Sequence, residues 1–310
     1  MALLDAVRAL TSFDPPDALP PCDAAELGDV LDAHGLAPLA SYQLETRRIG
    51  GSAPRALRER LLPLYQGAVN DNVFRLVTLK AALRDVDVPV VLLGGAAYVD
   101  WLYPHLAFRP LGDLRLAVRA EDGARFAASL AVAGFSTLGT GAGGHTATFG
   151  DGRLTLTIQE GLVAGAAADH GLFGATAPYP ALGRTVARPS PEHALLATAA
   201  DIAEHGLFAP LLLYVDLREL VALPDIWDAR RAAALRSAAA AARLSRGLLG
   251  ALALVARFFP WLAEQAAALS PELPSAERAV VLAIVERASD PARLRLPRGA
   301  EAAARAIVAP

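Results

Sequence analysis

The side chains of this chain with the types and spacing for chemistry gather in one stretch, Leu92-Leu-Gly-Gly-Ala-Ala-Tyr-Val-Asp-Trp-Leu-Tyr-Pro-His-Leu-Ala-Phe-Arg-Pro-Leu-Gly-Asp-Leu-Arg-Leu-Ala-Val118. Gly94 and Gly95 follow a run of β-branched and leucine residues. A glycine pair there makes either an ordinary strand-to-helix turn or a place where backbone N–H groups approach a phosphate closely. Asp113 and Arg115 stand two residues apart at a strand candidate, so they share one face of it. A guanidinium at position 115 repels a cation and reads as pairing with Asp113 or binding an anion. Arg109 reads as orienting the strand or touching a ligand, and Asp113 as a carboxylate paired with Arg115 or Arg109. Further on, Leu154, Leu156 and Ile158 share one face of a strand candidate, and Thr155 and Thr157 the other. Glu160 lies just past that strand, and His145, ahead of it, reads as exposed.

Other chemistries lack their residues. Cys22 is the single cysteine, which excludes an intrachain disulfide and a cysteine-built zinc cluster. His170, His193 and His205 share no i,i+4 spacing, and no carboxylate completes a ligand set with them. The glycines between Gly139 and Gly144 precede a hairpin and not a helix, so they do not form a dinucleotide loop.

The elements that must position the central stretch follow from pattern. Asp5–Leu10 and Asp23–His34 read as helices, the second with Asp23 as N-cap and Gly35 as stop. A long helix is expected over Pro54–Asp85, with Pro63 as a point for a kink. Val69, Val73, Leu76, Val77, Lys80 and Leu83 lie near one stripe of it. Val88–Leu93 reads as a buried strand, Ala96–Tyr103 as a helix stopped by Pro104, Leu114–Val118 as a strand and Glu121–Ala133 as a helix. Gly150-Asp151-Gly152 is a hairpin signal between His145–Phe149 and Arg153–Ile158. From Ser190, with Pro191 suited to the first helical position, the chain reads as helical.

The 310 residues are 54% hydrophobic and 20% charged, enough to bury a sizeable core. The mean hydropathy of +0.35 owes much to alanine, and the longest uncharged apolar stretches are about half the ~20 residues a spanning helix needs. With 29 basic and 32 acidic residues, a net charge of −3 gives no strong field toward nucleic acid. These features lead us to expect a soluble, cytoplasmic protein without a membrane segment. The alanine and leucine content suggests a GC-rich bacterial gene.

The Leu92–Val118 segment resembles a bacterial nucleotidyltransferase family usually described as uncharacterised. In that family a strand ends in Leu-Lys-Gly, a helix leads to Leu-Tyr-Pro, and an Arg precedes an Asp-x-Asp strand. Here Gly95, Tyr103-Pro104, Arg109 and Asp113 stand in that order. His34-Gly-Leu-Ala-Pro-Leu39 and Glu192–Leu220, with His205 and Asp216-Leu217, extend the likeness over most of residues 25–260.

The resemblance implies an α/β fold: a nucleotidyltransferase-like small mixed sheet with flanking helices. It divides the chain into a helical segment over 1–85, a core over 86–188 and a helical region over 189–310. It places a nucleotide beside Gly94, Gly95, Arg109, Arg115, Thr155 and Thr157. It also implies divalent ions, held by three carboxylates, that bind the triphosphate and activate the attacking hydroxyl. Of those carboxylates only Asp113 is kept; Arg115 stands at the second position and Thr155 at the third, and Gly94 replaces the family's Lys. We therefore expect a catalytically degenerate binding or accessory protein, in a biosynthetic setting, whose cleft takes a nucleotide, peptide or partner protein. The alternative is an active nucleotidyltransferase using Mg²⁺ on Asp113, with Glu160 as the other catalytic carboxylate and Arg115 holding the triphosphate.

Overall fold

A computed structural model describes residues 2–141, 144–163, 171–289 and 298–310. The chain opens with α1 (Ala2–Thr11), α2 (Ala24–Ala33), α3 (Ala37–Thr46) and the long α4 (Arg55–Ala82). The Asp23 carboxylate accepts from the amides of Ala25 and Glu26, both at 2.8 Å, and so caps α2 as its sequence position suggests. Helix α4 runs unbroken through Pro63.

The buried face of α4 is not the stripe expected from its apolar residues. Val73 and Val77 are exposed, whereas Leu57, Leu61, Ala68, Asn72 and Leu79 face inward. Asn72 explains the rotation. Its Nδ2 donates to the carbonyls of Leu106 (2.6 Å) and Arg109 (2.9 Å), and its Oδ1 accepts from the Leu111 amide (2.9 Å). One buried amide thereby satisfies three backbone groups of the loop that leads to Asp113, and leaving them unpaired would be costly.

The central portion contains β1 (Val90–Leu93), α5 (Gly95–Tyr98), β2 (Leu114–Ala117), α6 (Gly123–Val132), β3 (Ser136–Thr140), β4 (Thr146–Gly150), β5 (Thr155–Gln159), β6 (Thr176–Pro178) and β7 (Val186–Pro189). Among the described residues the strands form one seven-stranded mixed sheet in the order β3-β4-β5-β2-β1-β7-β6. Strand β2 runs antiparallel to β1 and parallel to β5, and β7 runs parallel to β1. All four residues of β1 are buried, as a continuous Val/Leu run between two neighbours requires.

The helix expected over Ala96–Tyr103 is a single turn, Gly95–Tyr98. Strands β3, β6 and β7 are additions to the four expected. Every residue of β3 and β6 is exposed, so neither carries the apolar alternation that reveals a strand in sequence.

The remainder is α7 (Pro191–Glu204), α8 (Leu211–Val221), α9 (Ala229–Ala241), α10 (Ser245–Phe258), α11 (Ala263–Leu269), α12 (Ser275–Ala288) and α13 (Arg298–Val308). One contiguous apolar cluster extends from α1 through the sheet to α13. Tyr98 fastens α5 to α7, its hydroxyl 3.0 Å from the Ala194 carbonyl and 2.9 Å from Thr198 Oγ1. No helix among the described residues is long and apolar enough to cross a membrane.

Candidate functional site

The site is built where β1 ends. Gly94 has φ 58° and ψ −143°, a conformation that a side chain makes costly, and Gly95 begins α5. Because β1 and β2 are antiparallel, with Leu93 opposite Arg115, the glycine turn lies beside the N-terminal end of β2. Across β2 the parallel register sets Arg115 opposite Thr157 and Leu114 opposite Leu156. Arg115, Thr155 and Thr157 therefore share the face on which Asp113 precedes the strand. The structure brings Gly94, Gly95, Arg109, Arg115 and Thr157 together, with Asp113 and Thr155 at the same end of the sheet.

Both arginines cover the turn. A Cβ on Gly94 would lie 3.0 Å from Arg115 Nη2, and one on Gly95 would lie 2.9 Å from Arg109 Cζ. The turn is covered by two guanidinium groups, each engaged by a carboxylate of a helix beyond it. The single turn of α5 is too short to sum its peptide dipoles into a strong anion site.

Arg115 does not pair with Asp113. Its guanidinium grips Asp201 of α7 with both terminal nitrogens, Nη1 donating to Oδ1 at 2.6 Å and Nη2 to Oδ2. Burial works against the Arg115 charge, but the Asp201 carboxylate outweighs it and holds the pKa above the usual arginine range. Ala194, Thr198 and Asp201 recur at helical spacing on the stripe of α7 that meets α5 and β2.

Arg109 also pairs elsewhere than expected. Its Nη2 donates to Asp216 Oδ2 at 2.8 Å, its Nε lies 3.2 and 3.3 Å from the two Asp216 oxygens, and its Nη1 donates to the Pro110 carbonyl at 2.8 Å. The Tyr103 hydroxyl donates to Asp216 Oδ1 at 2.5 Å. Asp216 is wholly buried and Arg109 is 8% exposed. Burial pushes the Asp216 carboxyl up, against the pull of the Arg109 charge and the two hydrogen-bond donors. Burial likewise holds the Tyr103 hydroxyl well above its usual range, which keeps it a donor. Arg109 is thus a positioning residue, tying the loop before β2 to α8.

Asp113 is exposed and makes no ion pair among the described residues. Glu160 does not join it. It lies five residues beyond Thr155, roughly 16 Å along the strand at ~3.3 Å per residue, and its Oε2 is 2.6 Å from His145 Nδ1. His145 is accordingly half-buried and hydrogen-bonded, not free in solvent. His170 and residues 142–143 of the glycine-rich segment lie outside the described residues.

The donors near the turn do not suit a divalent ion. Asp113 is one carboxylate, Asp201 has both oxygens engaged by Arg115, and threonine hydroxyls are weak neutral ligands. No group of three or more His, Cys, Asp or Glu side chains able to hold a metal occurs among the described residues. Asn72 and Asp201 were not anticipated from sequence. The one signal for Asp201 was an acid within the otherwise apolar run Ala197-Thr-Ala-Ala-Asp-Ile-Ala203.

A glycine turn after a central strand, an acid at the head of its antiparallel neighbour and a parallel strand beyond it define a nucleotidyltransferase-type core. The model of the family described as "Uncharacterised nucleotidyltransferase" matches residues 20–260, and the chain belongs to that family. Searches of the curated proteins and of the solved structures found no match.

Proposed function

We propose that this is a catalytically degenerate member of its family, a binding or accessory protein whose cleft holds a ligand without metal-dependent nucleotidyl transfer. The observation that carries this reading is the Arg115–Asp201 fork over Gly94. A fixed monocation sits where the family's second metal-binding carboxylate belongs, and Asp201 of α7 has both its oxygens engaged in holding it. A triphosphate can still meet positive charge there, but nothing gathers a metal to polarise its phosphorus or to activate a hydroxyl.

The transferase reading keeps one support, Asp113, which is exposed and has no ion-pair partner among the described residues. Calorimetry with each nucleoside triphosphate, with and without Mg²⁺, separates the two. Our reading expects any nucleotide binding to be indifferent to Mg²⁺ and no pyrophosphate to be released. Mg²⁺-dependent binding with pyrophosphate release that vanishes in Asp113→Ala would establish the transferase instead. Absence of binding by every nucleotide would leave a peptide or partner protein as the occupant of the cleft.

A further inference from the structure

A cavity of about 400 Å³ lies at the β6–β7 edge of the sheet. It is separate from the glycine turn. Strand β7 pairs with β1 so that Val186 is opposite Val90, which sets Arg188 level with Leu92 and on the face away from Arg115. Trp101, Ala175, Ala177 and Pro189 supply apolar wall, and Arg188 and Ser190 supply polar groups. A concave, mainly apolar space with one cation is the usual form of a small-molecule site.

Arg188 is held in a manner that leaves it able to take a ligand. Its guanidinium carbon lies 5.0 Å from the Tyr179 ring centroid and 5.8 Å from that of Trp101, so aromatic rings restrain it. A guanidinium restrained by its faces keeps its in-plane N–H groups for an acceptor. Among the described residues its ion-pair partner is Asp100, at 3.5 Å and with Asp100 47% exposed, a competitor that a ligand carboxylate can displace. The Arg188 Nε is buried and has no acceptor among the described residues. That nitrogen is shielded from the cavity, so a ligand there meets the terminal nitrogens of the guanidinium.

We propose that this cavity binds a small organic anion, a carboxylate carried on an aromatic or aliphatic body. The carboxylate lies on Arg188 and the body packs against Trp101 and the neighbouring alanine and proline surface. The site is independent of the cleft at Gly94 and of whatever reaction that cleft does or does not perform.

4-Phenylbutyrate and its uncharged amide form the test pair, titrated by calorimetry and by tryptophan fluorescence on the full chain. The acid is expected to bind at least about tenfold more tightly than the amide, the worth of one charge-assisted hydrogen bond. Arg188→Gln is expected to remove that difference, and Trp101→Ala to weaken both ligands. Asp100 also accepts a hydrogen bond from Tyr179, which an asparagine oxygen can still accept, so Asp100→Asn removes the competing charge and is expected to tighten the acid severalfold and leave the amide unchanged. It also serves if Arg188→Gln fails to fold. Equal affinity for acid and amide, failure of the acid to saturate at millimolar concentration, or an Asp100→Asn variant no tighter than the parent would each overturn the proposal.

Discussion

Gly94 and Gly95 look alike in sequence and are required for different reasons. Gly94 needs its missing Cβ for its backbone, at φ 58° and ψ −143°, and Gly95 needs it for Arg109, whose Cζ would be 2.9 Å away. Gly94→Ala should cost about 1–3 kcal/mol of backbone strain. Gly95→Ala should cost a similar ~1–3 kcal/mol by overpacking, because Arg109 is pinned by Asp216 and cannot yield. Urea unfolding of both variants checks this, and a neutral Gly95→Ala would mean that Arg109 is not anchored as described. Arg115 invites a sharper experiment. Arg115→Asp would replace the cation with a carboxylate between Asp113 and Asp201, removing the donor that now occupies Asp201. We expect this variant to be less stable than the parent without metal, through like-charge repulsion, and to be stabilised by Mn²⁺ where the parent is not. Thermal unfolding with and without Mn²⁺ reads both effects; equal responses in the two proteins would contradict the reading of position 115.

At the scale of elements, what was legible in the sequence depended on whether the deciding partners were local. The β4–β5 hairpin was visible because Gly150-Asp151-Gly152 carries its own turn chemistry, with Asp151 Oδ1 accepting from the amides of Arg153 (2.8 Å) and Leu154 (2.7 Å). The cap on α2 was visible for the same reason. The burying face of α4 was not, since Asn72 turns it toward a loop more than 30 residues away. Nor was the pairing of Arg115, which reaches Asp201 over a separation of 86 residues. Spacing along a strand could show that Asp113 and Arg115 share a face, but not which of them a distant helix would engage. The hairpin gives a prediction with a defined sign. Burial acts to raise the Asp151 carboxyl, but the two amides outweigh it and leave its pKa below the usual range. Its contribution to stability is complete above the ordinary aspartate pKa and is lost as the pH falls through the lowered folded value. Asp151→Asn should therefore lower stability at neutral pH, where the ionised carboxylate contributes, and converge with the parent at acid pH, so that its stability-versus-pH curve is flatter, as unfolding midpoints between neutral and acid pH would show.

Taken whole, the molecule closes its helical half with contacts that depend on small residues. Helix α13 lies so close to α7 and α10 that a Cβ on Gly247 would be 2.8 Å from the Val308 carbonyl and 2.8 Å from Ala203 Cβ. One on Gly206 would be 2.9 Å from the Arg305 amide and the Glu301 carbonyl. Gly247→Val should push α13 off, lowering the unfolding temperature by at least about 2 °C and exposing the C-terminal helix to limited proteolysis. A variant with the parent's melting and cleavage pattern would show that α13 is not seated there.

The Arg115–Asp201 fork has a consequence for the history open to such a chain. Its two members are matched in charge, so changing either alone leaves a half-buried ion facing the wrong neighbour. A route from this arrangement back to one that gathers metal cannot pass through single neutral steps: restoring an acid at 115 sets it against Asp201, and neutralising Asp201 first leaves Arg115 over the turn without its counterion. On the reading proposed above, the pair works as a ratchet against the recovery of a metal site.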